Sequence, residues 1–184
     1  MSAPQNPLVY LPQRFAPRRA KLPGMISEEI LVFEAWVQVN GSQFVRFDHN
    51  VRVGPDYVSP VPLTPEVQRL ANLLHKLRID AVGWRGVDNS LLPFTITHPS
   101  EVYALFPSAL ATIIDAKRRA TNRVIGQLIN YRDLWRAENP EAATPDLVCA
   151  CATYSPSILA SVHAQRIQLN VVSVNFAPLR PVKP

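Results

Sequence analysis

From residue 109 onward the chain alternates strand-like and helix-like stretches with little between them, and that succession limits the fold more than any other feature. ALATIIDAK (109–117) is an apolar run suited to a buried strand, and TNRVIGQLINYRDLWRAENP (121–140) is an amphipathic helix closed by Asn139 and Pro140. PDLVCACATY (145–154) is a further strand, PSILASVHAQR (156–166) a helix and IQLNVVSVN (167–175) a last strand. Strands that alternate with helices pack as a sheet covered by those helices, so a mixed α/β domain with some parallel strand pairs is expected.

The first half adds to the same domain. SEEILVFEAWVQ (27–38) offers Ser27 as an N-cap and places Ile26, Ile30, Phe33 and Val37 at helical spacing. SQFVRFDHNVRVG (42–54) reads as strand. TPEVQRLANLLHKL (64–77) has Thr64 as a cap, Pro65 at the first helical position and an apolar stripe through Val67, Leu70, Leu73, Leu74 and Leu77. RIDAVGW (78–84) is a strand, LLPFTIT (91–97) is a candidate strand and SEVYALF (100–106) a short helix.

Charge is unevenly spread along the 184 residues. Residues 1–24 hold Arg14, Arg18, Arg19 and Lys21 without an acid, and 175–184 hold Arg180 and Lys183 without one. Of 19 basic residues, 13 remain against 14 acidic ones, so the central part is nearly neutral although the whole chain carries +5. Pro4, Pro7, Pro12, Pro17 and Pro23 forbid helix in the first segment, and FAPLRPVKP at the end reads alike. Three parts follow: an extended basic arm over 1–24, one domain over 25–174 and an extended tail over 175–184. Such arms are either disordered or laid on a neighbouring subunit or nucleic acid.

Other features exclude more than they assign. No stretch reaches the roughly 18 apolar residues of a membrane span, and no signal-peptide layout opens the chain, so a soluble, cytoplasmic protein is expected. Cys149 and Cys151 read as small core residues, and four scattered histidines lack zinc-ligand spacing. Phosphate-cradling glycine loops, nucleophile elbows and zinc-finger spacings are missing too.

The chemistry-bearing feature is the polar end of the 109–117 strand. Side chains two apart share a face, so Asp115 and Lys117 project together while Ile114 and Ala116 face the other way. Asp80, in the polar position of an earlier apolar strand, lies beside them if the two strands are neighbours. The alternative reading of Asp115 and Lys117 is a solvated strand end, and of Asp80 a turn residue, with Asp88 competing for its place. Paired carboxylates repel unless a cation separates them; a hard divalent ion does so with one or two carboxylates and water. A lysine beside them can orient water or stabilise a charged phosphorus centre.

Asp80, Asp115-Ala116-Lys117 and a helix bearing Gln127 and Tyr131 at i and i+4 resemble the PD-(D/E)XK nuclease superfamily. The segment IGQLINYRDLW is especially similar to its restriction-endonuclease-like and RecB-like members, and the likeness extends over about residues 28–174. It implies a mixed central sheet flanked by helices, binding of Mg²⁺ (or Mn²⁺) and hydrolysis of DNA. In that pattern Asp80 and Asp115 are metal ligands, with the carbonyl of Ala116 and the Glu29 carboxylate (less well Glu34) in support, and Lys117 is the catalytic lysine. Gln127 and Tyr131 face the site, unless the helix simply packs on the sheet with Tyr131 in the core. This chain departs from the pattern in having no proline before Asp80, no second acid at Val82 and a long insertion, FTITHPSEVYALFPSAL, suited to a lid or partner surface.

Arg118, Arg119 and Arg123 follow the lysine and suit phosphate contacts, or else form a solvated loop. The leading expectation is a Mg²⁺-dependent deoxyribonuclease. The alternative is an adaptor subunit, homo-oligomeric or part of a viral or phage assembly, that is virion-associated and locked in place by its arms. A non-catalytic nucleic-acid-binding module fits less well, because the central part is not basic.

Overall fold

The computed structural model describes residues 9–10 and 25–176. Most of the two arms, including all six of their basic residues, lies outside the described residues. Six strands form one sheet in sequence order: β1 (Val9–Tyr10), β2 (Arg46–Val53), β3 (Leu77–Arg85), β4 (Leu110–Ala120), β5 (Asp146–Tyr154) and β6 (Ile167–Val171). The first four are antiparallel neighbours, whereas β4, β5 and β6 pair in parallel. The mixed α/β expectation therefore holds. The parallel pairs fall where helices α4 (Asn122–Glu138) and α5 (Leu159–Ala164) supply the crossovers that parallel pairing requires.

Helix α1 (Ser27–Asn40) covers one face, burying Val32, Phe33, Trp36 and Val37 against Phe47, Ala81, Ile114, Ala116, Val148 and Ala150. Its far end is tied across the sheet where Trp36 Nε1 donates to Asn170 Oδ1 at 2.7 Å. The opposite face packs Val82, Trp84, Ile113 and Leu147 under α4, through Val124, Ile125, Leu128 and Trp135, and under α5. Gly83 lies where the first layer presses hardest on the sheet. A methyl built there would meet Phe44 at 2.7 Å and Phe47 at 2.8 Å, closer than side chains tolerate.

Several expectations are corrected. Ser27 does not cap α1; the cap position is Ile26, whose N–H is taken by Glu29 Oε2 at 2.9 Å. Residues 91–97 are not a strand, and only Pro99–Tyr103 of the next stretch is helical, as α3. The insertion is not a free lid. Ile96, Val102 and Ala109 from it are buried in the α4-side core, and Arg46 Nη2 reaches the carbonyl of its first residue, Phe94, at 3.5 Å. Helix α2 (Pro65–His75) forms with Thr64 Oγ1 accepting from Val67 N, as its sequence indicates, but Val67 and Leu70 stay about half exposed.

Candidate active site at the fork between β3 and β4

The β3–β4 ladder runs from Arg85–Leu110 to Ala81–Ile114 and stops. The next positions are Asp80 and Asp115. Beyond them β3 continues with β2 alone and β4 with β5 alone, so the sheet splits like a fork with both aspartates at its crotch. Lys117, one pleat further along β4, fills the gap. Its Nζ lies 2.6 Å from Glu29 Oε1, 3.0 Å from Asp80 Oδ2 and 3.0 Å from Asp115 Oδ1. Three of the sequence candidates thus meet, and Glu29 joins them because the first turn of α1 sits over the fork.

The fork coincides with a break in β2 and β3. Asn50 takes a left-handed conformation, φ 60°, and the Asn50–Asp80 position drops out of the β2–β3 pairing although the register on both sides is unchanged. Asparagine visits that region more readily than most non-glycine residues, because its short polar side chain can hydrogen-bond to nearby backbone. The strand turns over there: Phe47 packs toward α1, whereas Val51 and Val53 pack toward α4. On β3 the same switch separates Ile79 from Ala81. His49, wholly buried edge-on against Phe33, donates its Nδ1–H to the carbonyl of Asp80 at 2.9 Å. Burial pushes its imidazole down to about 4, so it is the neutral ring that holds β3 at the break. Sequence reading missed His49 and Asn50; the polar triplet Asp48-His49-Asn50 inside an otherwise regular strand was the available signal.

Helix α4 secures the other side. Gln127 Nε2 donates to the Tyr131 hydroxyl, which donates to the carbonyl of Arg78 on the freed arm of β3. Both residues lie at the fork, but their polar ends are spent on each other and on backbone. Tyr131 is buried, and desolvation raises its phenol to about 12.

The electrostatics follow from burial. Desolvation raises Asp115 to about 7, and the neighbouring Asp80 adds to the shift while Lys117 opposes it. Asp80 is also raised, chiefly by desolvation, again against the pull of Lys117. The lysine itself is held in its charged form: burial disfavours the charge, but Asp115 and Asp80 outweigh it. Asp115 is 1% exposed, and neither of its carboxylate oxygens has a hydrogen-bond partner of good geometry. A buried carboxylate with unfilled lone pairs costs several kcal/mol unless something fills them.

The remaining candidates are placed less centrally. Glu34 is buried away from Lys117, with Oε1 unpartnered and its carboxyl raised by desolvation. Asp88 stands in the turn after β3, bonded to Ser90, and plays no part at the fork. Arg118 and Arg119 belong to β4 itself rather than to a loop, since the strand runs to Ala120. Arg118 pairs with Glu28 at 2.8 Å and lies over Phe176, while Arg119 and Arg123 are exposed. Cys149 and Cys151 are free, buried and in register with Asp115 and Lys117 on the neighbouring strand.

Among the described residues no group of three or more His, Cys, Asp or Glu side chains is arranged to hold a metal ion. Glu29 has both oxygens engaged, by Ile26 N and Lys117 Nζ, so among the acids at the fork Asp80 and Asp115 would be the side-chain donors to an ion. An ion that keeps most of its water needs no more than one or two carboxylates, and the Asp115 carboxylate, whose near neighbour is the Lys117 ammonium 3.0 Å from Oδ1 and which lacks a well-aligned hydrogen bond, fits that need. No helix among the described residues is long and apolar enough to cross a membrane. Comparisons with family models, curated proteins and solved structures found no match to this chain.

Proposed function

We propose that the chain is a metal-dependent nuclease of the PD-(D/E)XK kind, with a restriction-endonuclease-like arrangement of its sheet, hydrolysing phosphodiester bonds in DNA. One observation carries the reading: Asp80 and Asp115, 35 positions apart in the sequence, stand at the first unpaired step of a splitting sheet with the Lys117 ammonium 3.0 Å from each. Asp80, Asp115 and the Ala116 carbonyl would hold Mg²⁺ or Mn²⁺, which supplies Lewis acidity and lowers the pKa of water. In hydrolysis a water oxygen bonds to phosphorus, one P–O ester bond breaks, and the departing oxygen takes a proton.

Lys117 serves this chemistry as a fixed positive charge. Held among three carboxylates, its ammonium keeps the acids together in the free protein and faces the position where negative charge develops on the phosphate. Glu29 sets its direction from the first turn of α1, and His49 and Tyr131 hold the β3 arm that presents Asp80. These are positioning roles.

The test is cleavage of linear, closed-circular and single-stranded DNA with Mg²⁺ or Mn²⁺. Lys117→Ala should lower the rate by roughly 10²-fold or more with circular dichroism unchanged, and Asp80→Asn should do the same. Wild-type activity in a folded Lys117→Ala protein would remove the hypothesis. A wild-type chain that cuts no substrate would favour the adaptor reading.

A further inference from the structure

The starting end of the parallel strands, away from the fork, gathers arginines that the aspartates and lysine do not explain. Between the end of α4 and the starts of β5 and β6 lies a pocket of about 390 Å³ lined by Arg132, Arg136, Thr144, Asp146, Gln165 and Arg166. Asp146 is the register partner of Thr112, three residues before the Asp115–Cys149 position, so it stands roughly 10 Å along the strands from the fork. The pocket is a separate place.

Its charges do not cancel. Asp146 is held by Arg85 at 2.6 Å, and Asp133, beside the pocket, by Arg132 Nε at 3.3 Å. Among the described residues the guanidiniums of Arg136 and Arg166 engage no acid and no hydrogen-bond acceptor, so two positive charges are left over. Arg132 also donates to the Gln165 carbonyl at 3.3 Å and to Gln165 Oε1 at 3.0 Å, which ties the turn between α5 and β6 to α4. In that turn Arg166 takes a left-handed conformation, φ 53°, which strains an arginine and would suit a glycine. A strained residue whose side chain lines a pocket with two others of its kind points to a use for that side chain.

We propose that the pocket binds a phosphomonoester dianion, held by Arg136 and Arg166 with Thr144 as a hydroxyl donor. Planar guanidiniums present paired N–H donors that match phosphate oxygens. A doubly negative group also matches the two charges left over, whereas a phosphodiester or a carboxylate supplies one. The volume admits the phosphate together with part of the molecule that carries it. That molecule is either a free phosphate compound or the phosphorylated end of a nucleic-acid strand. The inference stands apart from the nuclease reading.

Calorimetry in EDTA measures binding of inorganic phosphate and of adenosine monophosphate, with adenosine as the uncharged control. Fluorescence measures binding of one oligonucleotide with and without a terminal phosphate. Arg136→Gln and Arg166→Gln should each weaken phosphate binding roughly tenfold. Arg166→Gly should lose as much while its melting temperature stays level or rises, because glycine takes the left-handed conformation without strain. Asp80→Asn, at the fork, should bind as wild type does.

The oligonucleotides separate the two sources. Tighter binding of the phosphorylated form, lost in the arginine variants, identifies a strand end as ligand; phosphate or adenosine monophosphate bound through the same arginines, with both oligonucleotides alike, identifies a free phosphate compound. Wild type that binds none of these probes more tightly than its unphosphorylated control would overturn the proposal. So would affinities unchanged in Arg136→Gln and Arg166→Gln, or a loss in Arg166→Gly matched by a lower melting temperature. A chain that binds through the pocket yet never cuts DNA defeats the nuclease reading only, and one that cuts without phosphate binding defeats this proposal only.

Discussion

At the scale of single residues, Asp115 shows how burial and charge conflict at the fork. Its carboxyl ionises near 7 in the folded protein against an ordinary 3.8. Between those values the folded state keeps a proton that the unfolded chain has released, so stability falls as pH rises from 3.8 toward 7 and stays lowered above it. Asp115→Asn should therefore raise thermal stability at pH 8 by on the order of 2 kcal/mol, with the gain vanishing toward pH 4. Calorimetry of both metal-free proteins at the two pH values checks this, and equal gains at both would show that ionisation is not the cause. Asp115 and Lys117 were legible in the sequence because a two-residue spacing on a strand forces a shared face. Asp80 was legible only as a candidate, since its place depends on which strands are neighbours. His49 and Asn50 were not legible in this role, because a backbone break has no pattern of its own until the pairing is known.

At the scale of elements, the same limits separate what spacing can specify from what contact decides. Helices α1, α2 and α4 follow from their apolar periodicity, and α2 also from its cap. The stretch 91–97 looks like a strand by composition, yet its chain is held otherwise. Arg46, 2% exposed and paired with Asp48, donates to Asn89 Oδ1 and to the Pro93 carbonyl, pinning the segment as irregular chain over β2. Arg46→Met should destabilise the fold by about 3–5 kcal/mol, because it leaves Asp48 buried with its charge unpaired. Adding Asp48→Leu should recover much of that loss, and urea unfolding of the single and double variants measures both steps. An Arg46→Met protein as stable as wild type would show that the pair does not hold the segment. Gly83→Ala belongs to this scale as well. With Phe44 and Phe47 so near, the added methyl should cost roughly 1–3 kcal/mol, read as a lower denaturation midpoint at unchanged slope.

For the molecule as a whole, the order of strands could be anticipated only in part. Alternating helices announce the parallel half, while nothing local announces that β3 and β4 separate after Ala81–Ile114. That separation matters because it creates a partly dry site in a sheet that otherwise buries its apolar side chains on both faces. It also costs stability, since the free protein encloses three carboxylates around one ammonium. A divalent cation held by Asp80 and Asp115 would remove part of that cost, and the relief should appear in the whole chain's melting. Ligand at about ten times its Kd adds about 1.4 kcal/mol, which for a chain of this length shifts the melting temperature by roughly 3–6 °C. Millimolar Mg²⁺ or Mn²⁺ at pH 8 should thus raise the melting temperature of wild type. Asp80→Asn and Asp115→Asn should respond far less, and Glu29→Gln should keep most of the response because Glu29 bonds Lys117 instead. Equal shifts in all four proteins would mean that the ion binds elsewhere, and the aspartates would then lose their assigned role while the fork itself would stand.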